Sequence, residues 1–264
     1  MEEEGLEMKT NSKDLVSIVT PTYNASKYIL DTIRSVQAQT HTNWEMLIVD
    51  DCSKDNTKDI IREKMKGDSR IKLIELWKNG GPAHARNTAI NASEGEYVAF
   101  LDSDDLWHPS KLERQLIFMK KHDSAFSYTA YRIMKEDGER TDVVFPAPPS
   151  INYRTLLMNT AIGTLTVVLN KTKLGYFQMQ LFRDCSEDYG LWLSILNKGV
   201  TAHGLNEELA VYRKCENSLS SNKIKSAKKT WNTYRKIEKK NVVASFWYLM
   251  NYSFHAVRKH SKTI

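Results

Sequence analysis

Residues 96–107 read EYVAFLDSDDLW, an apolar β-branched and aromatic run that stops at three carboxylates, Asp102, Asp104 and Asp105. The first half has the composition of a buried strand. Residues 109–122 follow with Leu112, Leu116 and Met119 at helical spacing and Pro109 at the expected first helical position. Strand, acidic turn and helix in that order put the carboxylates at the carboxyl end of a strand, where open α/β sheets bind ligands. Two carboxylates about 4 Å apart repel by roughly 4 kcal/mol at an effective dielectric near 20. Three of them call for a cation, a basic partner or raised pKa values. Hard oxygen donors suit Mg²⁺ or Mn²⁺ shared with substrate phosphates. Taken alone, the run reads more readily as a solvated Asp-rich turn, and its surroundings decide otherwise.

The same rhythm extends toward the N-terminus. Residues 15–20 (LVSIVT), 44–49 (WEMLIV) and 71–76 read as strands, and 28–38, 55–65 and 83–91 as the helices that follow them. Strands alternating with helices imply parallel strands joined by crossover helices. Beyond residue 120 the pattern changes. Residues 125–134 read as a strand entering a hairpin at 135–138, and 143–152, with three of the six prolines, as a surface loop. A strand is expected over 163–170, a helix over 187–198 stopped by Gly199, and a short strand over 209–213.

Bulk properties narrow the class. A chain of 264 residues, 41% hydrophobic and 27% charged, is ordinary globular material, long enough for a substantial core. Cys52, Cys185 and Cys215 are odd in number and form no CxxC, so neither a disulfide framework nor a zinc site is suggested, and a reducing cytoplasm fits. The acidic, polar residues 1–13 contain no signal peptide and read as a disordered lead-in. Residues 222–264 carry eleven Lys or Arg against Glu238 alone, which leaves −4 of the +6 net charge for everything before. Basicity therefore belongs to the tail, and nucleic-acid binding by the main domain is not indicated.

Five segments, SIVTPTYN, VDDCSKDNT, GGPAHARNTAI, FLDSDDLW and SEDYGLWLSI, stand in one order over about residues 15–220. Together they resemble the inverting family 2 glycosyltransferases, nucleotide-sugar enzymes of GT-A fold, and the closing VYRKCENSLSSNK resembles the bacterial branch that builds teichuronic acid, capsule or O-antigen polysaccharides. The resemblance implies an α/β, Rossmann-like mixed central sheet flanked by helices over 14–222, with a basic amphipathic helical tail over 223–264. It implies a hexosyl transfer from a nucleotide sugar, UDP-linked for preference, to a hydroxyl of a lipid-linked or surface glycan, with Mn²⁺ or Mg²⁺ as cofactor.

Roles follow by position. Pro21 and Tyr23 match the segment that holds the nucleobase, where a ring stacks for about 1–3 kcal/mol. Asp51 matches the acceptor for the uracil N3–H, with Asp50 as its less certain neighbour. Arg86 is the charge partner for a carboxylate or the diphosphate. Asp102 faces ribose or metal-bound water, and either Asp104 or Asp105 holds the divalent ion. Asp188 matches the catalytic base, with Glu187 beside it as a helix-capping charge. Many relatives carry a histidine two residues after a YR pair; here that position is Cys215, which leaves Arg213, Lys214 or His203 for its role and makes Arg213 a candidate diphosphate contact.

Two other classes share parts of this pattern. A sugar-phosphate nucleotidyltransferase has the α/β half and acidic site but needs a basic glycine-rich loop where this chain has PTYN; a non-catalytic sugar-nucleotide or glycan-binding module would bind without releasing sugar. In the tail, 242–257 (VVASFWYLMNYSFHAV) is too short and too interrupted to span a bilayer. Flanked by basic residues, it reads as a helix lying on the cytoplasmic face of the plasma membrane, or else packing on the main domain or on a second subunit of a homodimer.

Overall fold

A computed structural model describes residues 13–159, 161–215 and 223–260. The lead-in over 1–12 and most of the VYRKCENSLSSNK segment after Cys215 lie outside the described residues. In chain order the first part holds β1 (Val16–Thr22), α1 (Ile29–Gln37), β2 (Trp44–Asp50), α2 (Thr57–Gly67), β3 (Ile71–Glu75), α3 (Pro82–Ala92) and β4 (Tyr97–Phe100). Next come β5 (Leu106–Trp107), α4 (Lys111–Lys121), β6 (Phe126–Lys135), β7 (Arg140–Phe145), β8 (Ser150–Ile151) and α5 (Tyr153–Leu157). The rest is β9 (Val168–Asn170), α6 (Lys171–Leu174), α7 (Glu187–Leu196), β10 (Ala202–Lys214), α8 (Lys223–Asn232), a π-helical turn over Thr233–Ile237, and α9 (Val242–His260).

One mixed sheet runs β3-β2-β1-β4-β9-β6-β10-β5, with β7 on β6 and β8 on β10. The strands β3, β2, β1 and β4 are parallel, as the alternation of strand and helix requires. β9 pairs antiparallel with both β4 and β6, and so joins the parallel half to the rest. Two apolar layers sandwich the sheet. Ile18, Met46 and Ala99 face α1 and α4, whereas Val19, Leu47 and Phe100 face α3 and α7. On that second face the Phe100 and Trp192 rings meet edge to face at 5.3 Å.

Several local expectations change. α4 begins at Lys111 behind Ser110, so Pro109 precedes the helix and its carbonyl accepts from Thr40 N at 2.9 Å. The strand expected over 163–170 is a 3₁₀ turn, Thr164–Thr166, followed by three strand residues. The loop over 143–152 contains the end of β7 and all of β8. The short strand over 209–213 is the end of a 13-residue strand whose register shifts twice along β6. Those bulges hide it from a period-two reading.

The tail is helical, and it is part of the core. Tyr234 is fully buried in the same cluster as Tyr189 and Trp192, and Tyr248, Leu249 and Tyr252 pack against that cluster. Gly190 in α7 permits the approach: a Cβ there would stand 2.8 Å from Ile237 Cδ1.

Candidate active site

The first wall of the site is made by two loops fastened together. After β1 the chain turns at Asn24, whose φ of 49° asparagine tolerates better than most residues. Asn24 N donates to Ser53 Oγ, Ala25 N to Thr57 Oγ1, and Lys54 N back to Asn24 Oδ1, at 2.8–2.9 Å. Asp55 accepts from Ser26 N and Thr57. Burial raises its carboxyl, but the bonds from Thr57 and Ser26 outweigh that and hold it down at about 2. Pro21 is the penultimate residue of β1, and Tyr23, just after the strand, stands half-exposed.

Asp51 lies at the end of β2, nearly fully buried. Its two oxygens accept from Gly80 N at 2.7 Å and Gly81 N at 2.8 Å, and Asn79 Nδ2 donates to its carbonyl. Gly81, at φ 85°, turns the chain into α3 with Pro82 at the first helical position. Asp51 therefore shapes the loop before α3, keeping further lone pairs for a ligand donor. Asp50 instead accepts from Ser53 N at 2.9 Å, holding the turn after β2.

Arg86, one turn into α3, is the hub. Its guanidinium is buried, and donates to Asp102 Oδ1 at 2.6 Å and to Glu187 Oε1 at 3.4 Å. Burial would lower its pKa, but the charges of Asp102, Glu187 and Asp188 prevail and raise it. Glu187, expected only as a helix-start charge, is thus an ion-pair partner as well, with Lys229 of α8 at 4.0 Å on its other oxygen. Residues 101 positions apart form that Arg86 pair, which no local pattern announces.

The acidic run folds into a turn in which Asp105 N donates to Asp102 O. Thr32 Oγ1 donates to the carbonyls of Ser103 and Asp105, each at 3.0 Å. Asp105 is buried and accepts from Arg213 N at 2.9 Å; burial, then the charges of Asp104 and Asp102, push its carboxyl well up. Asp104 is partly open. Burial and the neighbouring Asp102 push it up to about 6. Arg213 donates through Nε to Asp104 O and through Nη1 to Glu136 O, and its guanidinium lies 4.9 Å from the Tyr28 ring centre. These bonds hold the acidic turn, and Arg213 Nη2 lies 3.7 Å from Asp31 Oδ2. His203 sits at the other end of β10 against Ser124 and is not brought to the site.

Asp188 opens α7 across the cleft. Its Oδ1 accepts from Tyr189 N at 2.7 Å, and its Oδ2 from Thr164 Oγ1 at 2.5 Å. Thr164, in the 3₁₀ turn before β9, is a functional position that sequence reading missed; its threonine-rich surroundings carried only a strand signal.

Among the described residues no three or more His, Cys, Asp or Glu converge to hold a metal. The residues present still fit a divalent ion held jointly with a diphosphate. Such an ion takes one or two carboxylates plus phosphate oxygens, and Asp104, partly open beside Asp102 in the acidic turn, offers that donor set.

Comparison with known proteins settles the family. The family model described as glycosyl transferase family 2 matches residues 17–181. The chain belongs to the family 2 glycosyl transferases. The transferase is 50% identical over 250 residues to the putative teichuronic acid biosynthesis glycosyltransferase TuaG of Bacillus subtilis, covering 95% of this chain and 99% of that one. It is 42% identical over 250 residues to WfgD of Escherichia coli, a UDP-Glc:α-D-GlcNAc-diphosphoundecaprenol β-1,3-glucosyltransferase, covering 94% and 95%. Its fold matches Staphylococcus aureus TarS in complex with UDP-GlcNAc (TM-score 0.68, 24% identity, 93% of this chain and 72% of that one). It also matches the mannosyltransferase PcManGT of Pyrobaculum calidifontis in complex with GDP-Man and Mn²⁺ (TM-score 0.66, 17% identity, 93% and 75%). The fold of the transferase is therefore the GT-A-like mixed sheet that the five motifs implied.

Proposed function

We propose that this transferase is metal-dependent and inverting, and that it moves a hexose from a UDP-sugar to a hydroxyl of a lipid-linked glycan precursor. The Arg86 bridge carries this reading, because one buried guanidinium joins the acidic turn to the helix start that presents Asp188. The UDP-glucose donor and undecaprenol-linked acceptor named for WfgD, at 42% identity over almost the whole chain, support the substrate classes. All three cysteines are free thiols, which suits the cytoplasmic face.

In this mechanism Tyr23 and Pro21 stack on the base while Asp51 accepts from its N3–H through a remaining lone pair. Asp102 faces the ribose, and Arg86 fixes its carboxylate. Asp104 is the protein ligand for a divalent cation, and Asp105 anchors the turn through Arg213 N. When bound, the cation neutralises the departing diphosphate. Asp188 removes the proton from the acceptor hydroxyl as that oxygen attacks the anomeric carbon. The bond to the diphosphate breaks and its electron pair leaves with the β-phosphate oxygen, so a single displacement inverts the centre. Thr164 and Tyr189 N keep the carboxylate oriented.

Asp188→Asn tests the assignment. It is expected to lower transfer at least about 10²-fold while UDP still raises the melting temperature in the presence of Mn²⁺. Unchanged turnover would remove Asp188 as the base; absence of any UDP-dependent shift in the parent would remove the donor reading.

A further inference from the structure

Helix α9 has two apolar faces, and the fold uses one of them. On the inner face Ser245 is fully buried and Tyr248, Leu249 and Tyr252 pack on the main core. The Tyr252 ring meets Tyr189 at 5.6 Å and the Tyr248 ring meets Tyr234 at 5.9 Å between centroids. At 3.6 residues per turn, Val242, Phe246 and Met250 align four apart on the other side, with Val243 and Trp247 beside them. These five side chains are 56–79% exposed. A helix on a globular surface ordinarily turns polar residues to that side; here the outward face is apolar.

Charge identifies what covers it. Lys228, Arg235 and Lys239, on the segments leading into α9, are exposed, and residues 223–264 hold eleven basic residues against one acid. A twofold contact between copies would bring two such cationic segments together, because the same patch faces itself across the axis. An anionic bilayer offers the opposite: phosphates for the basic side chains, at about 1 kcal/mol each, and an acyl boundary for the stripe. No helix among the described residues is long and apolar enough to cross a membrane, so the contact is in-plane. We propose that the outward face of α9 docks in the interface of an anionic bilayer while its inner face holds α7, so that docking orients the cleft containing Asp188 relative to the lipid surface. The docking stands on the helix alone; its purpose, meeting a lipid-linked hydroxyl, rests on the proposed acceptor.

The full chain is sedimented with vesicles of equal parts phosphatidylglycerol and phosphatidylcholine, and with phosphatidylcholine alone. Binding to the anionic vesicles is expected, with the Phe246→Ser, Trp247→Ser pair reducing partition about tenfold or more and leaving vesicle-free donor hydrolysis unchanged. Lipids brominated on the acyl chains are expected to quench the parent's fluorescence more than that of Trp247→Phe, which keeps the apolar face. The proposal is overturned if the parent ignores anionic vesicles, if the double variant sediments as the parent does, or if Trp247→Phe is quenched equally. It is also overturned if light scattering shows a parent dimer that the double variant converts to monomer, which would make this face a contact between copies. Because hydrolysis is read separately, loss of docking and failure of the donor reading are distinguishable.

Discussion

Thr164 donates to the oxygen of Asp188 that is not already taken by Tyr189 N, so that carboxylate, the proposed base, has one fixed rotamer instead of a choice. A hydrogen bond to a charged group is worth about 1.5–3 kcal/mol. Thr164→Val is therefore expected to lower kcat roughly tenfold or more with the donor KM unchanged, and Thr164→Ser to restore it; equal losses in kcat and donor binding would mean a collapsed turn instead. Lys111 illustrates a different residue-scale effect. It is fully buried, its Nζ donates to Gln115 Oε1 at 2.8 Å and lies 4.2 Å from the Trp107 ring centre, and among the described residues no salt bridge pairs it with a carboxylate. Burial pushes its pKa from the ordinary 10.5 down to about 7. Between those values the unfolded chain binds a proton that the folded chain does not, so stability rises with pH across the window. Relative to Lys111→Met, the parent is expected to gain up to about 1.4 kcal/mol per pH unit from about pH 7 to pH 10, measured by urea unfolding; a constant difference would mean that Lys111 stays charged in the fold.

At the scale of elements, legibility tracked periodicity. The strands β1 to β4 and helices α1 to α3 were readable because each keeps one spacing over its length, and most end near a proline, glycine or acidic turn. β10 was read at less than half its length, since two register shifts along β6 break its alternation. The tail was legible as helical and basic, and the pattern of 242–257 favours a membrane surface while leaving open packing on a partner or on the main domain. The structure divides the helix between uses. One consequence concerns truncation. A chain ending at 222 loses Tyr234, Tyr248, Leu249 and Tyr252 from the cluster around Tyr189 and Trp192. Burying such a side chain contributes about 1.5–3 kcal/mol, so the shortened chain is expected to melt about 10 °C or more below the full one in a calorimeter. Equal melting would show that the tail contributes nothing to the core.

Across the whole molecule, Arg86 ties α3 in the parallel half to α7 beyond β9. Arg86→Met leaves the half-buried Asp102 and Glu187 without their shared cation, and each hydrogen bond to a charged group lost costs about 1.5–3 kcal/mol. Arg86→Lys is expected to recover little, because a single ammonium lacks the planar fork that serves two carboxylates. Chemical unfolding and UDP titration of both variants check this, and a stable, UDP-binding Arg86→Met would mean that the halves are joined by packing alone. The sequence by itself determined the βα order, the acidic run at the end of a strand and the apolar stripes, because backbone periodicity and turn chemistry act over a few residues. Only the tertiary structure decided that Asp51 braces the Gly80–Gly81 loop, that Arg213 is committed to the acidic turn, that Thr164 holds Asp188, and which face of α9 meets the core. Those outcomes depend on burial and on charges brought together by closing the sheet through β9, β6 and β10, and neither quantity exists until the chain has closed.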